Sequence, residues 1–139
     1  MARLLSRYLP LIAWLAFISY ASSDSFNAGN TSRIIGPLVL WLFPNTSADT
    51  LATIHFITRK LAHFTEYAIL GFLAARAFRP FSRWFLISAV LIVVYALIDE
   101  YHQSFVPSRT ASIFDSLIDM AGGITALIFI SRKGAKTQS

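Results

Sequence analysis

The chain has 139 residues, 55% of them hydrophobic and 14% charged, with a formal net charge of +5 and a mean hydropathy of +0.58. Soluble domains carry about 25% charged residues, so this composition excludes an ordinary soluble domain and points to a membrane protein. Cysteine is absent, which excludes a disulfide framework, a thiolate metal site and a cysteine nucleophile.

The first apolar run, Leu4–Ala21, follows Arg3 and precedes a polar stretch. Its basic start and the small residues of YASS also suit a signal peptide, but the segment is read as a retained span. SSDSFNAGNTS (22–32) reads as an outer loop. IIGPLVLWLF (34–43) is apolar but too short to span and holds Gly36 and Pro37, so it reads as a re-entrant or interfacial segment. In PNTSADT (44–50), Ser47 or Asp49 is the expected helix N-cap. The helix that follows is expected to start near Leu51, with residues 57–78 as the second span. RPFSR (79–83) is a short basic turn. The third span covers 84–103, yet its apolar run ends at Ile98. A helix needs about 20 residues to cross, so the polar group Asp99–Gln103 must ride with it. VPSR (106–109) is an outer turn, because Pro107 disfavours helix at Val106. The fourth span covers 111–130, and a polar tail follows. ILGFLAARAF (69–78) and MAGGITALIF (120–129) hold small residues suited to close helix contact in lipid. The expected fold is therefore an all-α membrane protein: a four-transmembrane-helix bundle in one domain, 1–139, with a short re-entrant or interfacial segment in the first outer loop.

Charge layout orients this arrangement. Arg3, Arg7, Arg76, Arg79, Arg83, Arg132, Lys133 and Lys136 fall on one side of an even number of spans. The positive-inside rule makes that side, and both termini, cytoplasmic. The expected location is the bacterial cytoplasmic membrane. Arg33, Arg59, Lys60 and Arg109 fall toward the other side. So do all seven acids (Asp24, Asp49, Glu66, Asp99, Glu100, Asp115 and Asp119) and the histidines His55, His63 and His102. Acids weigh little in topology, so this gathering signals a polar site on the outer face.

At about 100° per residue, Lys60, His63, Glu66 and Tyr67 share one helical face. Tyr95, Asp99, His102 and Gln103 share another, and Ser112, Asp115, Asp119, Gly122 and Ala126 a third. A charge at the bilayer centre costs about 3 kcal/mol or more, so the stripes should converge on a common interior open to the outer side. Buried Asp, His and Lys can also simply pair and pin helices together. Intramembrane ionisable groups are nonetheless functional candidates by default, and the size of the set favours function.

KLAHFTEYAILG (60–71), DEYHQSFVPSR (99–109) and SIFDSLIDMAGG (112–123) together resemble the VanZ-like family of small membrane proteins. That family shows a Lys…His…Tyr helix, an Asp-Glu-x-x-Gln-x-Phe-x-Pro-Gly-Arg turn, and an Asp followed by Gly on the last helix. FISYASSDSF resembles its first outer boundary, and the likeness runs from about Leu11 to Ile128. Ser108 stands where Gly is usual and Asp119 where Asn is common. The positions that match are Lys60, His63, Tyr67, Asp99, Glu100, Gln103, Arg109 and Asp115. The family is named for a protein giving low-level teicoplanin resistance, so the resemblance implies an envelope-linked phenotype without a settled reaction.

Two chemistries follow as expectations. One is an enzyme, an acid/base hydrolase or transferase on a lipid-linked or cell-wall substrate at the outer leaflet. Here His63 or His102 is the general base, because histidine titrates near neutrality. Asp99 or Asp115 orients it, and Glu100 joins the acid/base set. Lys60 and Arg109 clamp a phosphate or carboxylate, while Tyr67, Gln103 and Glu66 complete the contacts to substrate. Ser104, Ser108 and Ser112 are possible nucleophiles, but no elbow motif supports them. The alternative is a non-catalytic protein that binds a lipid or a lipoglycopeptide. A divalent metal at His63, Glu66, Asp99 and His102 would meet repulsion from Lys60 and Arg109, and the sequence requires no cofactor. A transporter is disfavoured because no inverted repeat is visible. Nucleic acid is not an expected partner, since the basic residues are juxtamembrane. His55, Arg33, Asp24 and Asp49 read as solvated, and Trp14, Trp41 and Trp84 as core or interface anchors.

Overall fold

A computed structural model of the protein describes residues 2–23, 28–106 and 112–136. Those residues form five helices and no strand: α1 (Ala2–Ala21), α2 (Ala28–Leu42), α3 (Ala48–Phe78), α4 (Trp84–Gln103) and α5 (Ile113–Lys136). Three windows are long and apolar enough to cross a membrane, Leu4–Ala21, Trp84–Gln103 and Ile113–Lys133. α3 does not qualify, although a fourth span was expected there. Its N-terminal half carries Arg59 and Lys60, and its apolar half is interrupted by His63, Glu66 and Arg76.

The burial pattern is inverted relative to a soluble protein. Leu4, Leu9, Leu86, Val90 and Phe129 are exposed, while Asp99, Asp119, Gln103 and Ser88 are buried. Lys, Glu, Arg and Asp are almost never fully buried in soluble proteins unless paired, and large apolar surfaces mark contact sites. With the three apolar helices, this pattern marks a membrane protein.

The helices alternate in direction. Trp14 Nε1 donates to the Glu66 carbonyl (2.9 Å) and Arg76 donates to the Ser6 carbonyl (3.2 Å), so α1 and α3 are antiparallel. Tyr95 Oη donates to the Leu15 carbonyl at 2.5 Å and Gln103 donates to Ser22 Oγ at 3.3 Å, so α1 and α4 are parallel. Lys60 pairs with Asp115 and His63 with Asp119, so α3 and α5 are parallel.

The Ser6 contact follows from the sequence. Pro10 lies inside α1 and has no N–H to give the carbonyl four residues earlier. That carbonyl belongs to Ser6, and a guanidinium N–H of Arg76 takes the missing donor's place. Freed backbone groups in apolar surroundings are re-satisfied by neighbouring helices in this way.

α3 and α5 approach most closely. A Cβ on Gly122 would lie 2.2 Å from the Phe64 carbonyl oxygen, and one on Gly71 would lie 2.5 Å from the Gly123 carbonyl oxygen. Only glycine lets these backbones touch, as small-residue contacts in lipid require. Around this seam the core is Leu11, Ile18, Tyr67, Leu70, Ala74, Ile92, Ala96 and Leu127.

Ser47 is the N-cap of α3, with its Oγ accepting from the Thr50 N–H at 3.2 Å, so the helix starts at Ala48 and not near Leu51. Its 31 residues make it about 46 Å long, longer than a hydrocarbon core of about 30 Å. α4 matches its expected bounds. α5 begins at Ile113 and runs to Lys136, past the expected end at 130. The stretch 22–32, expected as loop, is helical from Ala28 onward, because α2 continues without a break through Gly36 and Pro37. Gly36 is buried, with His55 of α3 beside it. Trp41, Leu42 and Phe43 at the other end of α2 are exposed. Of the VPSR turn, Pro107, Ser108 and Arg109 lie outside the described residues.

Candidate functional site

The end of the bundle where α1 and α4 finish and α5 begins is polar inside. α3 contributes Lys60, His63 and Tyr67 along its buried edge. Lys60 Nζ donates to Asp115 Oδ1, one turn into α5. The lysine side chain is 23% exposed and the aspartate 7%, so Lys60 forms the open rim. One turn deeper, His63 Nδ1 lies 3.2 Å from Asp119 Oδ1. Parallel helices with matched i, i+3 and i, i+4 spacings produce these two stacked pairs.

α4 closes the cluster from the other side. Gln103 Nε2 donates to Asp99 Oδ2 at 2.9 Å and to Ser22 Oγ, just after α1, at 3.3 Å. Asp99 and Gln103 are both buried. Glu100 accepts from the Ser112 N–H, just before α5. Glu100 and Asp115 thus sit at the positive end of the α5 dipole, a placement worth about 0.3–1 kcal/mol each. That is too little to carry a carboxylate into a membrane interior at about 3 kcal/mol. Helix capping alone does not account for four acids here.

Tyr67 is fully buried between the α4 and α5 acids. Its hydroxyl feels the charges of Asp99 and Asp119 and has no hydrogen-bond partner among the described residues. A buried hydroxyl left unpaired costs about 1–3 kcal/mol. Its O–H is a donor that no described acceptor takes.

Of the residues expected to form the site, Lys60, His63, Tyr67, Asp99, Glu100, Gln103 and Asp115 come together here. Glu66 is half-buried on the side of α3 that meets Trp14 of α1. Its charge still reaches His63. His102 is exposed in the last turn of α4, whereas Asp99 and Gln103 are buried. Arg109 lies outside the described residues. Asp119 belongs to the site but was missing from the expected set, although it shares the Asp115 stripe at i+4. Ser22 had no usable signal, because a lone serine in SSDS reads as loop.

The arrangement offers a carboxylate-held imidazole, a second carboxylate held by an amide, a lysine at the rim and an unpaired phenol. His63 Nδ1 is fixed by Asp119, which leaves Nε2 as the ring nitrogen for a ligand. This is the logic of a base oriented by a third group. For a metal, no group of three or more His, Asp or Glu is suitably placed among the described residues. Two surface grooves lie elsewhere, one between α1 and α3 beside Trp14 and Glu66, the other between α3 and α5 beside Arg76 and Arg79.

A family model described as VanZ/LLP1 matches residues 8–133. No curated protein and no solved structure matches the chain. The matched span takes in α1 from Tyr8 onward, every residue of the polar cluster and most of α5; the chain belongs to the VanZ/LLP1 family.

Proposed function

We propose that this protein is a four-span, VanZ-type protein of the bacterial cytoplasmic membrane, with both termini cytoplasmic and the polar cluster at the outer face. In this reading α3 is the additional span. Its alternation with α1 and α4 supports a crossing, and of the polar residues that lower its hydropathy His63 is buried against α5 and Glu66 half-buried beside α1. Eight basic residues at the opposite end from the cluster support the orientation.

At the outer face the cluster acts on the polar part of a lipid-linked cell-envelope substrate. His63, held by Asp119, takes a proton from a substrate hydroxyl or water. The oxygen so activated attacks the acyl or phosphoryl centre, Tyr67 donates to the oxyanion that develops, and His63 returns the proton to the leaving group as its bond breaks, with Asp99, held by Gln103, lining the site. Lys60 at the rim holds a phosphate or carboxylate, a role the sequence also suggests for Arg109. The observation that carries this reading is the His63–Asp119 pair beside an unpaired Tyr67 hydroxyl.

The two readings differ in size of effect. Loss of a positioned acid or base costs about 10²–10⁴-fold in rate, whereas one neutral hydrogen bond is worth about 1 kcal/mol of binding. Expressed in a teicoplanin-susceptible bacterium, the wild type should raise the inhibitory concentration. Asp99→Asn and His63→Gln, present in the membrane at the wild-type level, should erase the effect. Near-wild-type protection by both variants would leave binding without turnover as the answer. No protection by the wild type would remove the glycopeptide reading.

A further inference from the structure

The groove between α3 and α5 lies at the end of the bundle away from the polar cluster. It has a volume of about 320 Å³ and is lined by Phe72, Ala75, Arg76, Arg79 and Ile130. Phe72, Ala75, Arg76 and Arg79 recur at i, i+3, i+4 and i+7 along one face of α3, so the groove follows the helix axis. Its floor is apolar, and its cations come from two consecutive turns at the helix end.

Both guanidinium groups are held in place. Arg76 donates to the Ser6 carbonyl that Pro10 leaves without a helical partner (3.2 Å). Its remaining N–H groups are available to another acceptor. Arg79 lies over the Trp84 ring, 5.2 Å from its centroid, a cation–π contact that fixes the head without neutralising it. Both arginines are exposed, and neither forms a salt bridge among the described residues. The described carboxylates of the polar cluster are gathered at the other end.

Topology accounts for positive charge at this end. It asks for no slot, and it does not require two positioned guanidinium groups to flank apolar walls. We infer that this groove binds one anionic phospholipid of the phosphatidylglycerol class, its phosphate on Arg76 and Arg79 and its first methylenes along Phe72, Ala75 and Ile130. Arginine pairs with phosphate through parallel N–H···O bonds, and basic pockets between membrane helices on the cytoplasmic side take anionic headgroups. A zwitterionic choline lipid would bring a third cation toward the two arginines and bind less well. The inference is independent of any chemistry at the outer cluster.

Native mass spectrometry of the full chain in detergent, titrated with dioleoylphosphatidylglycerol and separately with dioleoylphosphatidylcholine, tests it. The wild type should carry the glycerol lipid several-fold more often than the choline lipid. Arg76→Gln/Arg79→Gln should lose that preference. Arg79→Gln alone leaves the Arg76–Ser6 bond in place and should lose most of it with wild-type helix content by circular dichroism. The charge-keeping Arg76→Lys/Arg79→Lys should retain it in part. Equal binding of the two lipids by the wild type would overturn the inference. So would an unchanged preference in both glutamine variants, or displacement of the lipid by inorganic phosphate.

Discussion

At the scale of single residues, the stacked pairs between α3 and α5 set the character of the interior. Removing one partner of a buried ion pair leaves an uncompensated charge and costs about 3–5 kcal/mol, while replacing both with apolar groups is often close to neutral. Asp115→Ala should therefore destabilise the bundle strongly, and Lys60→Met added to it should recover most of the loss. Denaturant unfolding in detergent followed by circular dichroism measures both. Equal destabilisation by the single and double variants would show that the lysine left without its partner costs nothing. The stripes on α3 and α5 were readable because Lys60, His63 and Tyr67 on one helix, and Asp115 and Asp119 on the other, recur at three- and four-residue spacing. His102 was misleading for the same reason. Tyr95, Asp99 and Gln103 are spaced by four and lie within one narrow stripe, and His102, three beyond Asp99, falls off its edge into exposure. Burial distinguishes spacings that a wide helical face merges.

At the scale of elements, the seam between α3 and α5 is the tightest contact in the molecule. Gly122→Ala places a methyl carbon 2.2 Å from a backbone oxygen that has no rotamer to escape by. Overpacking of this kind costs about 1–3 kcal/mol, and here the helices themselves must separate. The expected result is a clear loss of unfolding stability, larger than for Ala121→Gly on the exposed neighbouring position, although glycine costs about 1 kcal/mol in a helix. The reverse order would mean that the seam is looser than its backbone spacing implies. A helix boundary was legible at the basic turn before Trp84, whereas at α3 Ser47 was one of two expected caps and the expected start near Leu51 falls three residues late. α2 was legible only in part: 34–43 was expected as a short re-entrant or interfacial segment, and the polar residues from Ala28 read as loop. A proline lacks only its own N–H and clashes with one earlier carbonyl, and α2 absorbs both within fifteen residues. α3 was expected as a span on its apolar half, yet its polar residues keep it below the apolarity of α1, α4 and α5. Average hydropathy charges a helix for every polar residue, including those it turns toward its neighbours.

At the scale of the whole molecule, apolar side chains face outward, polar side chains meet inside one end, and most basic residues collect at the other. A lipid surround explains the first feature and the positive-inside rule the third. In the proposed reading the second is a polar interior accessible from the outer side, and this depends on α3 crossing the membrane. Because the chain has no cysteine, single thiols report position without background. The most direct test places cysteine at Ser104, between α4 and α5 beside the polar cluster, at Ser82, between α3 and α4, and at Thr46, before α3. Each variant is then labelled in intact cells with a membrane-impermeant maleimide. Thiols at 104 and 46 should label from outside, and the thiol at 82 only after the membrane is opened. Labelling of positions 46 and 82 from the same side would show that α3 does not cross, and would contradict an outward-facing site in a four-span bundle.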